Sequence, residues 1–314
     1  MSDTTVPTET PVLTDTPVPP EPPTVVDELT PSRHPRRHRT FRRLLRNKAA
    51  VASMVFLGVL LVVAVLAPVL MRHDPAEQSL LLRLQGPSAE HWLGTDSLGR
   101  DNLSRLIEGT RVTLVAAAEA IVLAVVLGIP AGLLAGLVGR KVDTALSWAS
   151  DTLLALPPLI LALAIVGILG PGLTNAMIAI GVVFAPRFFR VARAASLSVR
   201  HETYIEATRS LGASTSRTLF GHVLPNSSGP LLVQLTFAFG LVVTAEASLS
   251  FLGLGAVQPT ATWGTMVRDA FNNIYTTKFG LLAPSLMILL TILSFSVLGD
   301  ALRDALGRQS RVGD

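Results

Sequence analysis

Three carboxylates, Glu119, Asp151 and Glu246, lie within apolar stretches of the sequence, where a carboxylate can bind a proton, a cation or part of a solute. A lone carboxylate in hydrocarbon costs several kcal/mol, so each is expected to face protein or water. Each also has a structural alternative. Asp151 can pair with a nearby basic residue, Glu119 can be hydrogen-bonded at a helix contact, and Glu246 can brace a loop with Ser250 and Gly253, which share its helical face. The sequence leaves both roles open.

The sequence lacks the motifs of several enzyme classes. A P-loop needs a glycine directly before its lysine, and none of Lys48, Lys141 and Lys278 follows a glycine. The chain contains neither H-E-x-x-H nor G-x-S-x-G, which metalloproteases and esterases use, and it has no cysteine. We therefore expect no catalytic, cofactor or metal site on this chain, and any ATP must be hydrolysed by another polypeptide.

Composition and patterning predict an all-α polytopic membrane protein. Of 314 residues, 49% are hydrophobic and only 15% are charged, which is too much apolar surface for one soluble core. Apolar runs lie at about 49 to 71, 112 to 138, 145 to 169, 173 to 192, 230 to 253 and 281 to 301. The first run spans about 34 Å as a helix, enough to cross a hydrocarbon core of about 30 Å. Six transmembrane helices is the simplest count.

The remaining segments divide the chain by composition. Residues 1 to 32 contain eight Pro, eight Thr and six acidic residues but no Lys or Arg, which predicts a disordered cytoplasmic tail. Residues 33 to 48 carry eight Lys or Arg and form a basic segment before the first helix, 49 to 71. An extracytoplasmic segment, 72 to 110, precedes a transmembrane core, 111 to 306, that includes a polar loop at about 201 to 225. Residues 307 to 314 form a cytoplasmic tail.

The basic residues also predict the orientation. With the N-terminus inside, 19 Lys or Arg lie in inner segments and 7 in outer segments, as the positive-inside rule requires. Both termini and the polar loop are therefore expected in the cytoplasm. Arg187, Arg190 and Arg193 are spaced by three at the inner end of the fourth run and are expected to reach the lipid interface.

Two features indicate close packing and bending. Gly128, Gly132 and Gly136 recur every four residues, which places them on one helical face that a neighbouring backbone can approach. Pro157 and Pro158 interrupt the third apolar run, because proline cannot donate the hydrogen bond that continues a helix. These five residues are predicted to permit tight helix contacts and a hinge.

The polar loop between the fourth and fifth runs is predicted to form two short helices. Thr203 and Glu206 match a capping box, which satisfies the unpaired backbone donors at a helix start. Gly212 follows at the position of a helix end. Ser214 can cap a second short helix, and Pro225 is expected to end it.

The spacing within this loop resembles the EAA loop of ABC importer permeases, the membrane subunits of ATP-driven uptake systems. It departs from that pattern at Thr208, where alanine is usual, and at His222, where an aliphatic residue is usual. Neither residue is expected to unfold the helix. The matching residues are Glu206, Ala207, Gly212, Leu224 and Pro225.

Other segments extend the resemblance to the C-type permease of dipeptide, oligopeptide and nickel importers. They follow one another in order between about residues 41 and 306, which is nearly everything except the N-terminal tail. The segments are 91 to 101 (HWLGTDSLGRD), 151 to 157 (DTLLALP), 246 to 255 (EASLSFLGLG) and 298 to 304 (LGDALRD).

The resemblance implies a type I importer permease with five or six membrane helices and a cytoplasmic coupling helix that docks on an ATPase. It implies a B-type permease partner, two ATPase subunits that bind ATP and Mg, and an extracytoplasmic substrate-binding protein facing segment 72 to 110, in a bacterial cell membrane. Substrates of the family include dipeptides, oligopeptides and nickel complexes, and the sequence does not choose among them. The implied coupling residues are Thr203, Tyr204, Glu206, Ala207, Gly212, Leu224 and Pro225.

One alternative function belongs to another class of transporter. In a proton-coupled secondary transporter, Glu119 or Glu246 would bind the proton and no ATPase would be needed. Such carriers often have inverted repeats, and the sequence has no clear internal repeat. A membrane hydrolase lacks its usual motifs, and a purely structural scaffold leaves the spacing from Glu206 to Pro225 unexplained.

Overall fold

The computed structural model describes residues 44–199, 214–276 and 279–307. Within these ranges the protein is helical and has no strand, apart from one isolated bridge between Thr95 and Asp101. The predicted N-terminal tail and the coupling residues Thr203, Tyr204, Glu206, Ala207 and Gly212 lie outside the described residues.

Eight helices organise the described chain. Short helical turns at Leu80–Leu82, Thr215–Thr218 and Leu219–Val223 accompany them. The helices are α1 (Lys48–Leu70), α2 (Asn102–Val138), α3 (Arg140–Leu154), α4 (Pro158–Leu169), α5 (Leu173–Val199), α6 (Leu224–Phe251), α7 (Trp263–Asn272) and α8 (Phe279–Gly307).

Five of these helices, α1, α2, α5, α6 and α8, are long and apolar enough to cross a membrane. The third predicted span is different, because α3 and α4 meet at an angle of 93°. Counting that bent pair as one broken span gives six. The predicted all-α polytopic membrane fold is therefore confirmed, with five spanning helices among the described residues, or six spans if the bent pair is counted.

The bend lies at the two prolines that the sequence singles out. Helix α3 ends where the N–H of Ala155 donates to the carbonyl of Asp151. Pro157 precedes α4 and Pro158 is its first residue, a position where the missing N–H leaves no bond unmade. Since α4 has 12 residues, it rises only about 18 Å and does not cross a membrane as a straight rod.

Helix α2 starts earlier than its apolar run predicts. The Asp101 side chain accepts a hydrogen bond of 2.7 Å from the N–H of Ser104 and caps the helix before Asn102. The helix therefore begins nine residues before residue 111, within the segment 72 to 110 that was predicted to be extracytoplasmic. Hydropathy locates the apolar part of a helix, whereas the cap determines where the helix begins.

Two further elements differ from the sequence prediction. Helix α7 was not predicted, and it starts at a capping box in which Thr262 and Thr265 each bind the other's backbone N–H. Pro225 does not end a helix as predicted. It is the second residue of α6, and the preceding helical turn at Leu219–Val223 is of the wider π type. Proline is tolerated in a first turn, and the N–H of Leu224 reaches the carbonyl of Leu219.

Helix α2 lies at the centre of the bundle and packs against α1, α5, α6 and α8. Its buried alanines, among them Ala116, Ala117, Ala120 and Ala124, join a core with residues of α5 and α6. Small side chains allow the helix axes to approach closely, as is common in membrane bundles.

The bundle has two ends, which we name by one residue each. The Asp101 end contains the start of α2 and the whole of α7, and there the N–H of Gly172 also donates to Leu254. The Arg193 end contains α3, the end of α5 and the start of α6. Residues 200–213, which include most of the predicted coupling residues, lie outside the described residues; in the sequence they follow α5.

Candidate functional sites

Gly128, Gly132 and Gly136 form a contact line between α2 and α5. A Cβ atom added to Gly128 would lie 2.8 Å from the Cβ of Phe188, and one on Gly132 would lie 2.8 Å from the Cβ of Ala192. Both would also collide with backbone carbonyl oxygens of α5. The absence of a side chain at these positions is what allows the two backbones to touch.

The three arginines of α5 make contacts within the protein. Arg193 donates from Nη2 to Asp143 Oδ2 at 2.7 Å, and Arg190 donates from Nη2 to Asp151 Oδ1 at 2.8 Å. The guanidinium of Arg187 lies 4.7 Å from the centre of the Phe184 ring. Arg190 and Arg193 thus bind the carboxylates of α3, and Asp151 has the basic partner that its structural alternative required.

Leu224 and Pro225, the described part of the predicted coupling loop, adjoin a small apolar cluster. Leu219 and Val223 are buried there against Leu133 of α2, and Leu224 packs on the same cluster. Pro225 is exposed. The turn before α6 is therefore fixed to the central helix through side-chain packing. The other buried members of the apolar cluster are Leu137, Ala192 and Leu231.

Ser214 begins the segment that leads into this cluster. Its carbonyl accepts a hydrogen bond of 3.0 Å from the N–H of Thr218, and its hydroxyl lies 3.4 Å from the N–H of Arg217. These bonds start the turn Thr215–Thr218, as the prediction of a capping serine requires.

Glu119 lies on an exposed face of α2. Val115, Val122 and Val126 lie on the same face and are 52%, 61% and 60% exposed, and Glu119 is exposed as well. A lone carboxylate is costly in hydrocarbon, so this face is expected to meet protein or water rather than lipid.

Glu246 lies in α6 near the Asp101 end and is completely buried. The hydroxyl of Ser250 donates to its Oε1 at 2.7 Å. The same hydroxyl oxygen accepts from the N–H of Ala256 at 3.3 Å, and Gly255 approaches Ser250 so closely that a Cβ would collide with it. No basic side chain pairs with Glu246 among residues 44–199, 214–276 and 279–307. The contacts of Ser250 with Glu246 and Ala256 join Glu246 to the turn after α6.

A buried charge cluster at the Asp101 end was not predicted from the sequence. Arg100 and Arg105 are almost fully buried. Arg100 Nε donates to Asp96 Oδ2 at 2.6 Å, and Arg105 Nε lies 3.4 Å from the same oxygen. Both guanidinium groups also reach Asp269 Oδ2 on α7, at 3.4 and 3.5 Å. Asp269 is only partly buried, and its charge and that of Asp96 counteract the cost of burying the two arginines.

The turn that supports this cluster lies within residues 94 to 101. Asp96 Oδ1 accepts hydrogen bonds from the N–H groups of Leu98 and Arg100, at 2.8 and 3.0 Å. Gly99 adopts a positive φ of 74° and lies against the backbone of Ser79, where no side chain fits. The segment resembling family members thus encodes a fixed turn that presents Arg100 to α7.

Asp269 differs electrostatically from an exposed aspartate. Burial raises the pKa of its carboxyl above the ordinary value, and the nearby charges of Arg105 and Arg100 counteract that rise. Asp269 lies far from Arg100 and Arg105 in the sequence, so no local motif reveals the pairing.

Helix α7 is also fixed to α2 through Trp263, which is completely buried. Its backbone N–H donates to Thr113 Oγ1 at 3.2 Å, and its indole N–H donates to Thr110 Oγ1 at 3.3 Å. Together with the charge cluster, these bonds hold the Asp101 end together.

Two protein-family models match the sequence. The model for the binding-protein-dependent transport system inner membrane component matches residues 128–312. The model for the N-terminal transmembrane domain of oligopeptide transport permease C matches residues 36–87. The chain therefore belongs to the family of binding-protein-dependent transport system inner membrane components, the permease subunits of ABC importers.

Characterised relatives match over most of their length. The dipeptide transport system permease protein DppC of Alkalihalophilus pseudofirmus is 40% identical over 266 residues, covering 85% of this chain and 88% of the relative. The di/tripeptide permease DppC of Pseudomonas aeruginosa is 42% identical, covering 83% and 88%. The glutathione permease GsiD of Pectobacterium atrosepticum is 40% identical, covering 85% and 89%. The resemblance drawn from the sequence is confirmed.

A solved structure shares the fold. The inward-facing MetNI methionine ABC transporter aligns with a TM-score of 0.53 and 22% identity, covering 64% of this chain and 96% of that chain. At this identity the likeness concerns the fold alone. The predicted type I importer permease fold is thereby confirmed.

Proposed function

We propose that this chain forms half of the translocation path of an ATP-driven importer for dipeptides, oligopeptides or related solutes such as nickel complexes. Family membership supports the general role, and the names of three relatives, which are permeases for dipeptides, di/tripeptides and glutathione, support the peptide class. The chain itself is a transporter subunit, and the chemical step of ATP hydrolysis takes place elsewhere.

One structural observation supports coupling through residues 201 to 225. The turn before α6 buries Leu219 and Val223 against Leu133 of the central helix α2. A displacement of the coupling loop therefore reaches α2 through side chains in contact. Close-packed interiors transmit such displacements because they have little free volume. Thr203, Tyr204, Glu206, Ala207 and Gly212 would contact the ATPase, while Leu224 and Pro225 join the loop to α6.

The proposed assembly contains several partners. A second, B-type permease would cover the face of α2 that carries Glu119, which removes the carboxylate from lipid. Two ATPase subunits would bind ATP and Mg and dock at the Arg193 end. An extracytoplasmic binding protein would deliver the solute to the Asp101 end. ATP and solute are coupled only if the two access states bind them with different affinities.

The proposed location is a bacterial plasma membrane, with both termini in the cytoplasm. The distribution of 19 basic residues on one side and 7 on the other supports this orientation. It places the Arg193 end in the cytoplasm and the Asp101 end outside.

The test uses the complete transporter in lipid vesicles, and the substrate-binding protein is included in the assay. Glu206→Lys and Gly212→Val are compared with Gly167→Ala, a control at an exposed glycine of α4 that no other group within the described residues approaches. The two test variants should lose uptake at least about tenfold, equivalent to about 1.4 kcal/mol, while ATP hydrolysis and membrane abundance persist. Transport-coupled hydrolysis retained by both variants would contradict the proposed coupling role.

The same vesicles separate this proposal from a proton-coupled carrier. A permease of an ABC importer should take up solute only with its ATPases and ATP. A proton gradient without ATPases should give no uptake. Gradient-driven uptake by this chain alone would identify the alternative class.

A further inference from the structure

Two histidines and an aspartate meet at the Asp101 end, where α1, the following loop and α2 come together. One ligand atom each of His73, His91 and Asp101 lies within 4.8 Å of the others. The two imidazole rings have centres 4.9 Å apart. His91 and Asp101 are buried, and His73 is partly exposed, so a solute can reach the cluster from one side.

Each imidazole has one nitrogen held by an oxygen that can only accept. His91 Nδ1 lies 3.0 Å from Asp101 Oδ1, and His73 Nε2 lies 3.4 Å from the carbonyl of Glu90. When each of these nitrogens donates, the other nitrogen of the same ring carries a free lone pair. Metal-binding histidines have this arrangement, in which a carboxylate or a backbone carbonyl orients the ring.

The free nitrogen of His91, Nε2, has no hydrogen-bond partner among the described residues. His91 is only 7% exposed, and its Nε2 is buried without any hydrogen bond among the described residues. A buried polar atom without a partner costs about 1–3 kcal/mol. A bound cation would remove that cost, because it would accept the lone pair of Nε2.

We propose that His73 and His91 bind one divalent transition-metal ion of the zinc type, with Asp101 orienting His91 and water completing the coordination. Imidazole nitrogen is a preferred ligand of Zn²⁺, whereas Ca²⁺ and Mg²⁺ prefer oxygen ligands. The sequence predicts no metal site, because these residues match no local metal-binding motif. The role of the ion is structural and is independent of the proposed transport function.

The position of the cluster indicates what the ion would join. His73 follows α1, and its backbone N–H donates to Ser104 Oγ of α2 at 3.3 Å. Asp101 caps α2 through its second carboxylate oxygen, 2.7 Å from the N–H of Ser104. A metal between His73 and His91 would add a second link between the end of the first span and the start of the central helix, because His91 contacts Asp101.

The experiment measures Zn²⁺ binding to the purified full-length chain, carried on a tag without histidine and stripped with a chelator. Titration against a chromophoric chelator should show one equivalent bound. His73→Ala and His91→Gln should each weaken binding more than about 100-fold, and Asp101→Asn should weaken it about 10-fold, within the range for loss of an orienting group. The control combines His34→Ala, His38→Ala, His201→Ala and His222→Ala, and it should bind like the unaltered chain.

A second measurement does not depend on the buried histidine tolerating substitution. In His73→Cys, a Co²⁺ complex should acquire a sulfur-to-cobalt charge-transfer band that the unaltered protein lacks, which a purely structural role for His73 would not produce. Failure of the unaltered chain to bind Zn²⁺ stoichiometrically would overturn the proposal. Binding that is unchanged in His73→Ala but lost in the four-histidine control would overturn it as well.

Discussion

Arg193 of α5 and Asp143 of α3 are joined by two parallel hydrogen bonds, Nε to Oδ1 at 2.5 Å and Nη2 to Oδ2 at 2.7 Å. A paired geometry of this kind is among the stronger contacts between side chains. The second link between the two helices, from Arg190 to Asp151, is a single bond between side chains that are 59% and 62% exposed. Helix α3, the first half of the bent pair, is therefore held to α5 mainly through Asp143.

A double-mutant cycle tests this difference. The coupling energy from Arg193→Ala, Asp143→Ala and the double variant should be about 1 kcal/mol, the upper part of the range for partly exposed pairs, because water screens both side chains. The matched cycle on Arg190 and Asp151 should give about 0–0.5 kcal/mol. Denaturant titration of the purified chain in detergent gives the free energies of unfolding from which both coupling energies are calculated. Equal coupling in the two cycles would contradict the assignment of Asp143 as the main link.

The glycine contact between α2 and α5 predicts a large effect of a small change. Gly132→Ala should lower the free energy of unfolding by about 1–3 kcal/mol, because its Cβ overlaps atoms of α5 that have no space to move. Gly132→Leu should prevent the contact altogether and reduce membrane abundance.

The control for the glycine contact is Gly58→Ala on α1. Within the part of the chain that the structure describes, no other group lies within 4 Å of a Cβ at Gly58. Alanine favours a helix by about 0.8–1.0 kcal/mol relative to glycine in water. Gly58→Ala should therefore be neutral or stabilising. A stability loss at Gly132 no greater than at Gly58 would show that the backbones separate easily.

The buried charge cluster predicts that Asp269→Ala is destabilising. The substitution leaves N–H groups of the buried Arg100 and Arg105 without their Asp269 acceptor, which costs about 1–3 kcal/mol. Asp300→Ala, at an exposed aspartate of α8, should change stability by less than about 0.5 kcal/mol. Thermal unfolding of the two variants alongside the unaltered protein gives the comparison.

Asp269 also predicts a pH dependence. Its pKa is higher in the folded chain than the ordinary value of 3.8, so the folded state binds the proton more tightly than the unfolded state. Above the raised pKa, the ionisation of Asp269 lowers the free energy of unfolding. This loss disappears as the pH falls towards 3.8. The stability difference between the unaltered protein and Asp269→Asn should therefore shift in favour of the unaltered protein on acidification. A shift in the other direction would mean that the two arginines dominate.

The sequence predicts those parts of the fold that local chemistry determines. Apolar runs locate α1, α5, α6 and α8, and the prolines locate the bend before α4. The capping residue Asp101 was not recognised, so the apolar run from about residue 112 did not reveal that α2 begins at Asn102. A cap is a single polar residue, and its effect depends on backbone geometry that hydropathy does not report.

Some of the candidate sites could likewise be predicted from the sequence, whereas others could not. The four-residue spacing of Gly132 and its neighbours depends only on helix periodicity, so the contact face could be predicted. The pairing of Arg100 with Asp269 depends on how α7 folds back onto the start of α2, and no pattern in either segment reports it. Glu246 could be identified as unusual from the sequence, but its partner Ser250 does not by itself distinguish a transport role from a bracing role.

Glu246→Gln separates those two roles. If Glu246 braces the turn after α6, glutamine keeps an oxygen that can accept from Ser250, and uptake by the complete transporter should stay within about twofold of the unaltered protein, a change of less than about 1 kcal/mol. Glu246→Leu should reduce stability, because the Ser250 hydroxyl then loses its acceptor, which costs about 1–3 kcal/mol for a buried group. Ser250→Ala is the matched control that removes the donor instead, and it should lower stability without changing solute selectivity. If glutamine abolishes uptake while ATP hydrolysis and protein abundance persist, the carboxylate itself takes part in transport and the bracing role is wrong.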